Sequence, residues 1–304
     1  MHRFSYIFLV LFSVACTKEV QIDIPGYKEQ LVIDGQIETD LPAIVLLSKT
    51  NDIYQGTNIQ NYLNSFVSGA TITVSDGVVT DTLLEVCTDN LPAGTEEVVA
   101  GLFGLPVEQI TSLHLCFYVS TQIIGEPGKT YSLEVNVEDE LYTAETSILT
   151  SIALDSTYWK EEVDNPGYGF SWANLSDPME TGNAYRWEVK YKDSLTFSKP
   201  FGPFIDDRFF NGLSFEFAYE NPMSFNDPNI SEDARGYYAL GDTIVIKFST
   251  LGQREYQFYD KKYNQIYSAG NPFATPVNIP TNISGGALGI WAGFSPSYDT
   301  LVCN

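Results

Sequence analysis

Short runs in which apolar and polar residues alternate dominate the first half of the chain. Residues 71–79 (TITVSDGVV) place an Asp-Gly pair between two such runs, and residues 130–147 alternate on both sides of a charged turn at 138–140. Alternation with a period of two is typical of strands with one buried face, and Asp-Gly is a hairpin signal. The pattern predicts an immunoglobulin-like β-sandwich over residues 30–149.

One segment of this half breaks the alternation. Residues 89–112 contain Pro92, Gly94, Gly101 and Gly104 around a Thr-Glu-Glu sequence. Because proline and glycine interrupt strands, we interpret this segment as an insertion with one short helix.

The second half, from a boundary near Thr150, combines strands with one helical pattern. Residues 185–191 (YRWEVKY) and 242–248 (DTIVIKF) are typical of strands. Tyrosines and apolar residues then recur at helical spacing over about residues 251–268, before a Gly-Asn-Pro sequence that ends a helix. The sequence therefore predicts a mainly β fold, in which the sandwich is followed by a second β-rich domain, residues 150–304, carrying one α-helix.

The N-terminus predicts where the protein resides. Residues 1–16 (MHRFSYIFLVLFSVAC) contain Arg3, an apolar run too short to span a bilayer, and the small residue Ala15 directly before Cys16. This pattern predicts a signal peptide over residues 1–15 and resembles a lipobox, in which Cys16 is acylated and anchors the protein to a membrane. The alternative is an ordinary signal peptide with an incidental cysteine. Residues 16–29 are predicted to be a tether.

The strongly negative net charge of the chain disfavours nucleic acid as a binding partner. The chain has 39 acidic and 16 basic residues, which gives a net charge of −23. Nucleic-acid binding needs clustered Lys and Arg against the phosphate backbone, so we predict no nucleic-acid partner. The 19 Tyr and 19 Phe supply enough apolar surface for a folded core.

Three cysteines remain after the predicted cleavage. In an oxidising compartment, Cys87 and Cys116 are candidates for a disulfide, and Cys303 is predicted to be unpaired. The alternative is a zinc site formed by the three cysteines and His114. It is disfavoured because their spacing lacks a C-x-x-C sequence.

The long aromatic segment at 197–238 is the strongest candidate for a binding surface. A stretch of low regularity and this length is usually functional. We predict that a ligand or partner contacts its exposed side chains together with Trp159, namely Phe201, Phe204, Asp206, Asp207, Arg208, Phe209 and Phe210. Trp172 and Trp187 are assigned instead to a core.

No pattern of catalytic residues stands out. Sequences of the type G-x-S-x-G, H-E-x-x-H and S-x-x-K are missing, and His114 is the sole histidine beyond the signal peptide. We therefore predict a protein that is not an enzyme and that holds no cofactor and no metal. A hydrolase using paired carboxylates, such as Asp206 and Asp207, is the least favoured alternative.

Two stretches resemble a known family. Residues 31–38 (LVIDGQIE) and the ending at 270–294, which contains Asn-Pro-Phe, Gly285-Gly286 and Gly289, are similar to the DUF4249 family of Bacteroidota outer-membrane lipoproteins. We interpret the glycines as a tight turn and close backbone packing, since no helix is predicted after them. The resemblance implies a surface-exposed accessory subunit beside a TonB-dependent transporter in nutrient uptake. The alternative is an adhesin or a glycan-binding protein.

Overall fold

The structure is a computed structural model, and it describes residues 28–50, 59–268 and 277–304. The predicted signal peptide, the predicted acylation site Cys16 and nearly all of the predicted tether lie outside the described residues. In chain order, the first half forms β1 (Leu31–Glu38), β2 (Pro42–Lys49), α1 (Ile59–Asn64), β3 (Thr71–Ser75), β4 (Thr80–Thr82), β5 (Leu84–Cys87), α2 (Glu96–Phe103), α3 (Val107–Ile110), β6 (Cys116–Ile124), β7 (Thr130–Val137) and β8 (Glu140–Ser147). The second half forms β9 (Ser156–Glu162), β10 (Asn165–Ser176), β11 (Ala184–Tyr191), β12 (Phe204–Asp206), β13 (Ser214–Tyr219), β14 (Tyr238–Ala239), β15 (Thr243–Leu251), α4 (Gln253–Tyr267) and β16 (Leu288–Val302).

An eight-stranded sheet runs through both halves of the chain. Its strand order is β12-β11-β15-β16-β1-β2-β6-β5, and the halves join where β1 pairs with β16 in parallel. At this junction Ile33 lies opposite Gly289, where an added Cβ would stand 1.9 Å from the Ile33 carbonyl oxygen. Gly289 also has a φ of +108°, so glycine is required at this close approach of two strands.

Two smaller sheets pack on one face of the large sheet. The sheet of order β4-β3-β7-β8 covers the first half, and β9, β10, β13 and β14 cover the second. Each layer pair encloses an apolar core, one around Trp291 and one around Trp187, which are 0 % and 1 % exposed. In β7, for example, Tyr131, Leu133, Val135 and Val137 alternate with exposed residues and reach the first core, as the sequence pattern predicts.

Helices cover the opposite face. Tyr256, Phe258 and Tyr259 of α4 pack against Ile290 and Phe294 of β16. The helices α2 and α3 cover β2 and β6 through a separate apolar cluster. Within the described ranges, no helix has the length and apolar character needed to cross a membrane.

The predicted mainly β fold is confirmed, with a sandwich in the first half and α4 as the main helix of the second. The insertion at 89–112 contains two short helices, α2 and α3, where the sequence predicted one. The division at Thr150 stays a prediction about folding units. Strands from both sides of it nevertheless share one hydrogen-bonded sheet.

Candidate functional site

One exposed aromatic residue of the 197–238 segment, Phe201, lines a shallow cleft beside α4. Phe201 is 66 % exposed, and its ring centroid lies 4.4 Å from that of Tyr267, which is 46 % exposed. The backbone N–H of Phe201 donates a hydrogen bond of 2.9 Å to Glu220 Oε1, which helps to hold the ring in place. We call this feature the α4 cleft, and its lining residues are Phe201, Gly202, Pro203, Phe204, Asp260, Tyr263, Asn264 and Tyr267.

The floor of the α4 cleft is built from stacked aromatic rings. Phe204, on β12, is 8 % exposed, and its ring is parallel to that of Tyr259 with centroids 4.8 Å apart. The Tyr263 ring lies 5.4 Å from the Phe204 ring and is tilted against it by 55°. Aromatic pairs of this kind contribute about 0.5–1.5 kcal/mol beyond the area they bury, so the floor is a fixed apolar surface.

Polar groups line the open side of the α4 cleft. Asp260 and Asn264 are one helical turn apart, and Asn264 Nδ2 donates to Asp260 Oδ1 at 3.2 Å. Burial raises the pKa of Tyr263 to about 12, so its phenol stays neutral and able to donate. An apolar floor with a few polar groups at the rim is typical of small-molecule and peptide sites.

Arg208 and Phe209 lie near the other end of α4. Arg208 Nε is 2.7 Å from Asp206 Oδ2, and Arg208 Nη2 donates to the Tyr256 hydroxyl at 3.2 Å. Phe209 is 89 % exposed beside this pair. Tyr256 precedes Tyr263 by seven residues, which corresponds to about 10 Å along a helix axis. Phe209 therefore lies outside the α4 cleft although it belongs to the same segment.

The remaining predicted contact residues make hydrogen bonds and packing contacts within the protein itself. Asp207 is 4 % exposed, and its Oδ2 accepts hydrogen bonds from the backbone N–H groups of Gly182 and Asn183 at 2.6 and 2.9 Å. Phe210 packs against the ring of Phe215, and Trp159 Nε1 donates to a backbone carbonyl oxygen at 3.3 Å beside the second core. Of the eight predicted contact residues, the structure brings Phe201 and Phe204 into the cleft.

A group of charged residues that the sequence pattern did not predict lies between the sheet and its helical cover. We call it the buried charge cluster, and it consists of Glu38, Arg186, Glu188, Lys199 and Lys247. Arg186 Nη2 lies 3.2 Å from Glu38 and 2.9 Å from Glu188, while Lys247 Nζ lies 2.7 Å from Glu38. The side chains of Arg186, Glu38 and Glu188 are at most 8 % exposed, whereas Lys199 is 36 % exposed.

The electrostatics of this cluster keep the Glu188 carboxylate ionised. Burial acts to raise the pKa of Glu188, but the positive charges of Arg186, Lys199 and Lys247 outweigh it and lower the pKa to about 2. Arg186 also stacks 3.7 Å from the ring centroid of Phe294. A general acid needs a raised pKa, so Glu188 has the opposite character from the acid of a glycosidase.

A family model described as "Domain of unknown function (DUF4249)" matches residues 17–298. The chain belongs to the DUF4249 family. The comparison with curated proteins gave no match. Both the α4 cleft and the buried charge cluster lie within the DUF4249 region of the chain.

This DUF4249 chain contains the disulfide that the sequence predicted. Cys87 and Cys116 are bonded and join β5 to β6. His114 lies beside them, with Nε2 3.7 Å from Cys116 Sγ and Nδ1 3.3 Å from Asp89 Oδ1. Cys303 is free and belongs to the core around Trp187, so it is not part of this group.

One tryptophan of the DUF4249 chain lies where the sequence did not place it. Trp187 is buried as expected, but Trp172 is half-buried and sits on the outward face of β10. Its ring lies 6.4 Å from that of Tyr158 on β9, at an interplanar angle of 17°. The adjacent cross-strand pair, Trp159 and Ser171, points to the opposite face. Because successive residues of a strand alternate between faces, the alternation in β10 could have predicted that Trp172 faces outward.

Proposed function

We propose that this protein is a lipoprotein held at the exterior of a Bacteroidota outer membrane by acyl chains on Cys16. It acts there as a non-enzymatic binding subunit that assists a TonB-dependent transporter in nutrient uptake. The α4 cleft is its contact site. The observation that carries the binding role is the exposed aromatic pair of Phe201 and Tyr267 above a rigid apolar floor.

The anchoring half of the proposal is supported by the N-terminal sequence. The apolar run ends at Ala15-Cys16, and the family match begins at the next residue, 17. Thr17-Lys18-Glu19 resembles the signal that sends lipoproteins of this phylum to the outer leaflet. Two or three acyl chains hold a protein at a membrane far more firmly than one does.

Labelling tests the anchor. Cells expressing the wild-type chain or Cys16→Ser are grown with a palmitate analogue, and their membranes are fractionated. We expect the label in the wild type alone and release of the variant from the membrane fraction. An unlabelled wild type, or a variant that stays in the outer membrane, contradicts the anchor.

The binding half is supported by how the cleft exposes its rings. Aromatic side chains are enriched among the interface residues whose truncation costs about 2 kcal/mol or more of binding free energy. A loss of about 2 kcal/mol corresponds to about a 30-fold loss in affinity. Phe201 and Tyr267 are exposed enough to be removed without a large cavity. Their loss should therefore weaken binding while leaving the fold intact.

Co-purification tests the partner. The wild type, the double variant Phe201→Ala/Tyr267→Ala and the control Phe209→Ala are extracted from native membranes in detergent and analysed by mass spectrometry. Phe209→Ala removes an aromatic ring outside the cleft that is even more exposed, at 89 % against 66 % for Phe201 and 46 % for Tyr267. We expect a TonB-dependent transporter with the wild type and the control, and at least tenfold less with the double variant. Equal recovery with all three, or no transporter with the wild type, contradicts the proposal.

A glycan-binding function is the second candidate, and one observation favours it. Tyr158 and Trp172 present nearly parallel rings on the outward face of β9 and β10. Aromatic faces bind sugars by stacking, and this face is remote from the core. Retention of the wild type, but not Trp172→Ala, on immobilised polysaccharides without any transporter partner would favour this candidate over the first.

A further inference from the structure

Three side chains with metal-binding atoms converge where β5 meets β6. The sulfur atoms of Cys87 and Cys116 and one ring nitrogen of His114 all lie within 4.8 Å of one another. In the described structure the two sulfurs are bonded to each other, which leaves neither available as a thiolate. Their availability therefore depends on the redox state of this bond.

The distance between His114 and Cys116 already suits a shared metal ion. In a tetrahedral zinc site, with Zn–S of about 2.3 Å and Zn–N of about 2.05 Å, a sulfur and a nitrogen ligand stand about 3.6 Å apart. The distance from His114 Nε2 to Cys116 Sγ is 3.7 Å. The two sulfurs of such a site stand about 3.8 Å apart. Cys87 Sγ would thus have to move away from Cys116 by under 2 Å once the bond is broken, which side-chain rotation can supply.

Asp89 gives His114 the orientation that metal sites use. A metal-binding histidine usually donates its other ring N–H to a carboxylate, which fixes the tautomer and the ring direction. His114 Nδ1 lies 3.3 Å from Asp89 Oδ1, on the side of the ring opposite the nitrogen that faces Cys116. The pair is solvent-accessible, with side chains 66 % and 48 % exposed, so an ion or a reductant can reach the site.

We propose that reduction of the Cys87–Cys116 disulfide creates a zinc site whose ligands are Cys87 Sγ, Cys116 Sγ and His114 Nε2, with Asp89 as the positioning residue. A water molecule takes the fourth position. The site replaces the covalent link between β5 and β6 by a metal link. It does not depend on the α4 cleft or on a transporter partner.

The chemistry balances with a dithiol as reductant. Thiol–disulfide exchange breaks the S–S bond, the dithiol gives up two electrons and two protons and becomes a disulfide, and Cys87 and Cys116 become thiols. Zn²⁺ then displaces the two thiol protons to solvent as it binds the thiolates. Histidine enters as the neutral ring with Nε2 unprotonated.

Metal titration of the full-length chain tests the proposal. The protein is reduced with dithiothreitol, freed of it by anaerobic gel filtration, and titrated with Zn²⁺ against a chromophoric chelator. Titration with Co²⁺ gives an independent readout, because thiolate-to-cobalt charge-transfer bands report sulfur ligands directly. We expect one ion per reduced chain, thiolate bands with Co²⁺, and no binding to the oxidised chain at the same concentrations.

Variants assign the ligands. His114→Ala and Asp89→Asn should each weaken Zn²⁺ binding at least tenfold in the reduced state. Cys303→Ser, which changes the free cysteine outside the site, should bind like the wild type. The double variant Cys87→Ser/Cys116→Ser also lacks the covalent link, so Zn²⁺ should raise the melting temperature of the reduced wild type but not of this variant.

Three results would overturn the proposal. They are a reduced chain that binds no more tightly than the oxidised chain, unchanged affinity in His114→Ala, or binding that disappears in Cys303→Ser. None of them bears on the α4 cleft, and a failed transporter co-purification leaves this site untouched.

Discussion

Replacing Arg186 by methionine tests whether the buried charge cluster is a structural necessity. Arg186 bridges Glu38 and Glu188 with its Nη2 atom, and its side chain is 5 % exposed. Methionine preserves much of the volume and the contact with the Phe294 ring, so the variant removes mainly charge. Two carboxylates then share the remaining ammonium groups of Lys247 and Lys199.

The expected cost follows from two independent considerations. Removing one partner of a buried ion pair costs about 3–5 kcal/mol, because the charge left behind is unpaired. The pKa of Glu188 falls from 4.5 to about 2 in the folded protein, and at about 1.4 kcal/mol per pKa unit this corresponds to a net stabilisation on the order of 3 kcal/mol, to which Arg186 contributes most among the three cations. We therefore expect Arg186→Met to lower the free energy of unfolding by about 3 kcal/mol or more.

Urea denaturation at pH 7 measures this loss. With an m value near 3 kcal/mol per M, the midpoint should fall by roughly 1 M or more. The matched control is Lys199→Met, which removes the half-exposed partner of the same carboxylate, 3.2 Å from Glu188. Lys199 is itself 36 % exposed, so water screens its interaction with Glu188, and the control should lower the midpoint less than Arg186→Met does.

A pH series adds a second readout. Because the pKa of Glu188 is lower in the folded chain than in the unfolded one, its contribution is complete above pH 4.5 and is lost as the pH falls toward 2. The loss should be shallower in Arg186→Met, since the cation that lowers this pKa most is gone. Equal midpoints for Arg186→Met and Lys199→Met, together with identical pH profiles for Arg186→Met and the wild type, would refute the reasoning.

Three further predictions concern other parts of the molecule. The double variant Cys87→Ser/Cys116→Ser opens a loop with a sequence separation of 29, and thermal unfolding should show a loss of about 3–4 kcal/mol; a loss below about 1 kcal/mol would mean that the bridge constrains little. Phe204→Ala should lose about 3–5 kcal/mol because it empties the floor of the α4 cleft, whereas Phe201→Ala at the exposed rim should lose about 0.5 kcal/mol or less in the same denaturation assay. Asp207→Ala leaves the N–H groups of Gly182 and Asn183 without their acceptor, so the chain should lose about 1–3 kcal/mol and these two amides should exchange faster with deuterium; unchanged exchange would contradict this role.

Local patterns predicted the parts of the fold that local physics determines. The Asp-Gly pair at 76–77 lies in the turn between β3 and β4, and the helical spacing of tyrosines marks α4 within two residues at each end. The glycines at 285 and 289 mark a tight turn and a close strand approach, as expected. For the turns and the helix, the residues that cause the conformation are neighbours in the sequence, whereas the close approach at Gly289 involves Ile33 of the first strand.

The parallel pairing of β1 with β16 could not be predicted in this way. Val32 pairs with Leu288 across almost the whole length of the chain, and the alternation within each strand fits several other partners equally well. The division into a sandwich and a separate second domain followed from the sequence order of the strands. The sheet instead places the first strand beside the last one.

Neither the buried charge cluster nor the contribution of α4 to the cleft could be predicted from the sequence, and the reason is the same for both. In β11, Arg186 and Glu188 alternate with Tyr185 and Trp187, which is typical of a strand with one face in water. In the folded chain these two side chains are instead buried and paired with Glu38 of β1 and Lys247 of β15. Similarly, nothing local distinguishes exposed Phe201 from buried Phe204, since α4 decides which ring it covers.

A series of side-chain contacts connects the buried charge cluster to the floor of the α4 cleft. These contacts suggest why a cluster of charges is kept in the interior, although burying charge is costly. Arg186 stacks on Phe294, whose ring lies 5.9 Å from that of Tyr259. Tyr259 is in turn stacked on Phe204, and Arg186 is the residue directly opposite Phe204 in the pairing of β11 with β12.

Burying charge contributes little net stability compared with an apolar core, but paired charges do fix the position of the strands that carry them. A cleft that binds through rigid rings gains affinity when its floor is fixed before the ligand arrives. Glu38, from the first strand of the chain, therefore helps to position a surface formed entirely by the second half.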